Sequence, residues 1–267
     1  MTLIETAIQK MQKAGAIPAD TRRMARREPV VAAEAPPPRT YLPCSLDSKV
    51  MEESRILPRI TDEAALRAYK ILRTRLLQTM HGEHFHSLIV TGPDVQQGKS
   101  LTAINLAFCL AQDPSTSVFL VDLDLRRPQV AHALGMQFEH GLGDYLAGSV
   151  GIEQIIYESG VPRLAILPNA RSLEHSSELL ASTRMTELVK YLETASPRRI
   201  VIYDMPPVLM SDDVIAFAPR ADGMLLVISE LFTERAKVEK TKAILESTNI
   251  LGVVLNRSSE RNDAGYY

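Results

Sequence analysis

A chain of 267 residues with 45% hydrophobic content can bury one sizeable core, as one domain or a domain with a tail, and its net charge of -2 gives no whole-chain attraction to nucleic acid or an anionic membrane. Two cysteines, Cys44 and Cys109, exclude a disulfide framework and fit a reducing compartment. No stretch approaches the ~18 to 20 apolar residues of a membrane span, and the amino terminus lacks the apolar core of a signal peptide, so a cytoplasmic chain is expected.

Thr2 and Glu5 form a capping box, and Leu3, Ile4, Ala7, Ile8 and Met11 share one face, which predicts a short amphipathic helix over residues 1–14. That face needs a partner, whether the main domain, another protein or, weakly, a membrane surface. Residues 15–59 break the pattern with Pro18, Pro29, Pro36, Pro37, Pro38 and Pro43 and read as a mobile, partly extended linker. Its basic cluster of Arg22, Arg23, Arg26 and Arg27 reads as solvated linker ahead of a lipid or acidic-partner contact.

A single domain is expected over residues 60–258. Its first helix starts at Thr61, Asp62 and Glu63 and runs to about Met80, with Leu66, Tyr69, Ile71, Leu72, Leu76 and Leu77 as its apolar side and Arg67, Lys70, Arg73 and Arg75 as its basic one. His81, His84 and His86 follow at spacings a metal could use. Without carboxylate or cysteine ligands suitably placed, they read as a polar loop.

From His86 to Ala111 an apolar run (Leu88, Ile89, Val90) enters a loop with Gly92, Pro93 and Gly98, and Lys99 and Ser100 then open a helix. Consecutive loop amides and the unpaired amides of a helix's first turn converge on one point and favour an anion there. Gln97, Gly98, Lys99, Ser100 and Leu101 are therefore expected to bind a nucleotide, Lys99 neutralising the outer phosphates and the Ser100 hydroxyl ligating magnesium. The consensus places glycine where this chain has Pro93, with Gly92 one position early.

Beyond it, the runs SVFLVDLD, RLAILPN, RIVIYDMPP, GMLLVIS and NILGVVLN alternate with helical segments at Ser177–Leu192 and Thr233–Glu246. Near-continuously apolar strands are buried on both faces, which predicts an α/β, doubly wound, mostly parallel sheet with its site at the carboxyl ends of the strands. At those ends stand Asp122 and Asp124, two apart and hence on one face while the chain stays extended, and Asp204 before two prolines. Acids facing one way at the edge of an apolar core need a cation, which magnesium and Lys99 could supply. Arg126 could add positive charge against a transferring phosphoryl group, and Asp204 has the form of an acid that holds magnesium through water. Asn256 and Arg257 end the last run, where the amide could read an adenine edge and the guanidinium stack on its face, or both could simply end a strand in a turn.

Together QQGKS, FLVDLDLRRP, GLGDYLAG (141–148), SSELLAS (176–182), VIYDMPPV (201–208), LGVVLNR (251–257) and a tyrosine-bearing tail resemble the bacterial tyrosine kinase family, the autokinases of capsule and exopolysaccharide loci. The opening MTLIETAIQK resembles the soluble kinases found with exosortase-linked exopolysaccharide loci. The resemblance implies a P-loop NTPase of the deviant-Walker, partitioning-ATPase-like superfamily that uses ATP and Mg2+. It implies Lys99 and Ser100 on the metal-nucleotide, Asp122, Asp124 and Asp204 at the metal and the tyrosine proton, and Tyr266 and Tyr267 in the 259–267 tail as phosphoacceptors.

It further implies a membrane-bound activator of the chain-length-determinant kind that recruits the chain to the inner face of the cell membrane. Eleven residues separate Asn256 from Tyr267, at most about 35 to 40 Å of extended chain, so phosphorylation between subunits is expected. The family's oligomerisation helix carries a Glu, Arg, Arg pattern where this chain has Arg67, Lys70 and Arg73, which sets ring assembly apart from the rest of the resemblance. Partitioning ATPases carry a second lysine where this chain has Asp94, which argues against that branch. The alternatives to a kinase are a nucleotide-dependent ATPase switch or a non-catalytic scaffold in the same polysaccharide machinery.

Overall fold

The computed structural model describes residues 41–59, 62–196, 198–230 and 232–258. The amino-terminal helix expected over residues 1–14 and the tyrosines at 266 and 267 lie outside them.

Eight strands form one sheet in the order β1-β4-β5-β3-β6-β2-β7-β8. They are β1 (Leu42–Pro43), β2 (Ser87–Thr91), β3 (Ser117–Asp122), β4 (Tyr157–Glu158), β5 (Leu164–Leu167), β6 (Arg199–Asp204), β7 (Gly223–Ser229) and β8 (Ile250–Asn256). Every pairing is parallel except β4 with β5. The five apolar runs and the first, Leu88 to Val90, supply β2, β3 and β5 to β8, as expected for a doubly wound sheet.

Strand alternation sends successive side chains to opposite faces, and both faces are buried. Leu88, Val90, Leu120, Ile202 and Val227 enter one core with helix α3 (Lys99–Leu110). Ile89, Val121, Tyr203 and Leu226 enter the other. That second face is covered by α5 (Leu142–Leu146) and by α7 (Thr183–Glu193), which buries Met185, Leu188, Val189 and Leu192. The helix expected over 177–192 is in fact two. Residues Ser176–Ala181 form α6, and Ser182 breaks the run and caps α7 by accepting from the Met185 amide.

The amino-terminal boundary corrects the linker expected over 15–59. Residues 41–59 belong to the folded body: β1 pairs with β4, Ser48–Glu53 form helix α1, and Met51, Ile56 and Leu57 are buried. Asn105 of α3 fastens this strap, accepting from the Leu57 amide and donating to the Arg55 carbonyl. Too few apolar residues are spaced too irregularly there for periodicity to reveal them; the groove beside α3 and the β4 edge supply the partner. The following helix, α2, is Glu63–Glu83 with Asp62 as its cap, so it runs through His81, and Ile71 on its expected apolar side is exposed.

Candidate active site

β2 delivers the chain at Thr91 into the loop 92–98, and α3 leaves it at Lys99. Gly98 is left-handed, with φ 86°, and provides no side-chain cap, so the first amides of α3 stay free to face an anion. The displaced glycine now has a reason: a Cβ on Gly92 would stand 2.2 Å from the Val227 carbonyl oxygen of β7. Close approach to β7 therefore fixes glycine at 92.

The loop is held by polar contacts from the neighbouring strands. The buried Gln97 side chain accepts from the Asp94 amide and donates to the Thr233 hydroxyl, and the Gln97 carbonyl accepts from Asn256 Nδ2 at 2.9 Å. Gln97 and Asn256 thus brace the loop. Asn256 therefore spends one Nδ2 hydrogen on the loop, and its Oδ1 accepts from the Arg257 amide. Arg257 stands over the Phe232 ring at 5.0 Å, which covers one face of its guanidinium.

Lys99 is buried and its Nζ donates to the Asp94 carbonyl at 3.2 Å. Burial pulls its pKa down, while the carboxylates of Asp204, Asp124 and Asp94 oppose that shift. Asp94 itself pairs with Lys237 of helix α9 (Arg235–Ile244).

Asp122 and Asp204 are partners across the β3–β6 ladder, both without exposed surface. Asp122 Oδ2 accepts from the amides of Gln129 and Val130, at the start of helix α4 (Val130–Leu134), but its Oδ1 has no partner. Neither oxygen of Asp204 is in hydrogen-bond geometry with a partner. Burial pushes the Asp204 carboxyl up to about 7, with the Ser100 hydroxyl and Lys99 opposing. Asp122 is held well above the carboxylate range by burial and by Asp204. Such oxygens are costly unless a cation completes them. Asp124 differs: partly exposed, it accepts from the Arg127 amide at 2.9 Å, and burial raises its pKa.

A cavity of about 550 Å³ opens at this end of the sheet, with Asp124 but neither Asp122 nor Asp204 in its lining. Gly98, Lys99, Ser100, Leu101, Asp124 and Arg126 line it, joined by Ser54 and Ile56 of the strap. The expected loop, Lys99 and the three acids are therefore gathered at one end of the sheet. Gln97, Asn256 and Arg257 support the loop or lie beside it without lining the cavity. Arg126 lines it, but its Nε is bound to Ser176, a contact that sequence reasoning missed together with Asp213 and the Gln97–Thr233 bond. The SSELLAS block was the one signal pointing there.

Residues 88–266 match the CbiA family, the CobQ/CobB/MinD/ParA nucleotide binding domain. Tyrosine-protein kinase YwqD of Bacillus subtilis is 32% identical over 203 residues, 74% of this chain and 84% of that protein. The chain belongs to the bacterial tyrosine-kinase branch of this nucleotide-binding family. Members of that branch differ in length: Etk of Escherichia coli K12 is 30% identical over 207 residues, 76% of this chain and only 28% of Etk. The solved kinase domain of Escherichia coli ETK matches with TM-score 0.66 and 29% identity, covering 76% of this chain and 80% of that one. The VpsO kinase domain matches with TM-score 0.64 and 30% identity, covering 73% and 96%. Among the described residues no helix is long and apolar enough to cross a membrane.

Proposed function

We propose that this chain is an ATP-dependent protein-tyrosine autokinase that regulates exopolysaccharide synthesis or export, with Tyr266 and Tyr267 as acceptors supplied between subunits. The observation that carries the reading is the set of orphaned carboxylate oxygens on Asp122 and Asp204 beside a buried lysine at a helix start. Its kinship with the tyrosine kinases supports the choice of acceptor.

The donor set fits magnesium. Asp122 Oδ1, Asp204 and the Ser100 hydroxyl would hold the ion, and among the described residues no group of three His, Cys, Asp or Glu side chains forms a self-sufficient cage, so phosphate and water oxygens would complete the shell. Bound there, the ion supplies positive charge to the phosphates. The residues of the chain do the rest. The loop amides and Gly98 seat the phosphates, and Lys99 leaves the Asp94 carbonyl to meet charge developing on the transferring group. Asp124, the acid that lines the cavity, accepts the proton of the incoming tyrosine hydroxyl, and its raised proton affinity suits that task. Arg126 presents positive charge from the cavity wall.

The domain plan proposed with this reading is an amino-terminal helix at 1–14 that meets a membrane-bound activator of the chain-length-determinant kind, a shortened linker, the kinase domain, and the tail from 259. Mass spectrometry of the full chain after incubation with ATP and magnesium, with and without that partner, tests it. Phosphate on Tyr266 or Tyr267 that vanishes in Lys99→Ala is the expected result. Nucleotide turnover with no phosphotyrosine would replace the kinase with an ATPase switch. Mixing Lys99→Ala with active protein tests transfer between subunits: the inactive chain's tail becomes phosphorylated.

A further inference from the structure

Arg126 leaves the loop after β3 and meets two residues from distant parts of the chain. Its Nε donates to Ser176 Oγ at 2.9 Å, the Ser176 hydroxyl donates to Asp213 Oδ1 at 2.8 Å, and Asp213 Oδ2 lies 3.6 Å from the same Nε. Ser176 opens α6 and Asp213 opens helix α8 (Asp213–Phe217), and neither residue has exposed surface. Arg126 is different, with 48% of its side chain exposed and the cavity on one side. Neither of its terminal nitrogens makes a hydrogen bond within the described residues. The backbone is fastened in parallel, the Leu173 amide donating to the Leu125 carbonyl at 2.8 Å.

A buried carboxylate with one oxygen lacking a hydrogen bond is a poor way to hold two helices together, since apolar residues of equal volume would serve as well or better. Nor is Asp213 the cap of its helix, a position held by Asp212. The chemistry that uses a buried Ser–Asp pair against one arginine is orientation. Binding Nε alone fixes the plane of the guanidinium and leaves the two terminal nitrogens available in the geometry that suits a phosphate.

We propose that Ser176 and Asp213 are positioning residues for Arg126, anchoring its Nε so that its terminal nitrogens are held at the cavity wall for the transferring phosphoryl group. The identity of that anion rests on the kinase reading. The anchoring itself does not.

Two measurements on the full chain separate the parts. With 15N-arginine labelling, the Arg126 Nε–H resonance is assigned by its absence from Arg126→Lys. Its solvent exchange in the wild type is expected to be at least about tenfold slower than that of an exposed arginine, fast in Ser176→Ala, and slow again in Ser176→Thr. In steady-state autophosphorylation, Ser176→Ala and Asp213→Asn lower kcat about 10- to 100-fold while KM for ATP stays within about twofold, and Ser176→Ala adds nothing further in an Arg126→Ala background. Fast exchange in the wild type overturns the proposal, and so does a Ser176→Ala loss undiminished when Arg126 is already alanine. If Asp213→Asn does not fold, the Ser176 variants decide alone. A wild type that forms no phosphotyrosine refutes the kinase reading, and the exchange rates still decide the anchor.

Discussion

The two ends of the central strands treat their carboxylates in opposite ways. At the amino ends Asp222, just before β7, accepts from the His86 amide, the Ser87 amide and the Ser87 hydroxyl, all at 2.8 to 2.9 Å. That acid is exposed, whereas at the carboxyl ends of the neighbouring strands β6 and β3 Asp204 is fully buried with neither oxygen in hydrogen-bond geometry, and Asp122 is half-satisfied. One end spends its polar groups on holding the fold, and the other keeps them for something the chain does not itself provide. A fold that can satisfy an aspartate three times at one end is not short of donors. The deficit at the other end marks the site, in agreement with the rule that parallel α/β sheets bind at their carboxyl edge.

The largest expected effect comes from removing the cation at the deficient end. Lys99→Ala should lower phosphotyrosine formation by about 1000-fold or more, read by phosphopeptide mass spectrometry, because it removes charge where charge develops. Asp204→Asn should also abolish most turnover, yet it should stabilise the nucleotide-free protein, and that split distinguishes a site acid from a structural one. The sign follows from linkage. The carboxyl ordinarily titrates at 3.8 and is pushed up to about 7 in the folded chain, so the folded state holds the proton more tightly. Stability is therefore greatest below the unfolded value, falls as pH rises from there to about 7, and levels off above it. Thermal melts of the magnesium-free protein across that range should show the fall, and Asp204→Asn should lessen it, leaving the part contributed by Asp122.

The opposite end should respond in the opposite sense. Asp222→Ala leaves two amides and a hydroxyl without their acceptor, but the site is open to water, so it should cost only about 1 to 2 kcal/mol in denaturant unfolding, with kcat per folded molecule unchanged. The smallest effect is expected at the rim, where the Asp94–Lys237 pair is partly solvated. Asp94→Asn should shift KM for ATP by no more than about threefold, because the Lys99 contact uses the Asp94 carbonyl and survives the change.

Gly98, Lys99, Ser100 and the three aspartates were legible because each ends or begins an apolar run, and strand ends in a parallel sheet converge by topology alone. Arg126 was legible as a residue of the site but not in its contacts, since Ser176 and Asp213 lie 50 and 87 positions away along the chain. The part of the proline-rich stretch between Tyr41 and Arg59 was misread for a related reason. Its buried residues Met51, Ile56 and Leu57 follow no period of their own, and their burial is set by a groove made elsewhere.

By itself the sequence determined the sheet, the phosphate-binding loop and the identity of the acids, because hydrophobic period and strand-end chemistry are local properties of the chain. The tertiary structure decided which polar groups are satisfied: Asn256 on the loop carbonyl, Arg126 on a buried serine, Asp204 with neither oxygen in hydrogen-bond geometry. Hydrogen bonding depends on direction and on distances of a few tenths of an ångström, and those are fixed only when distant segments pack against one another.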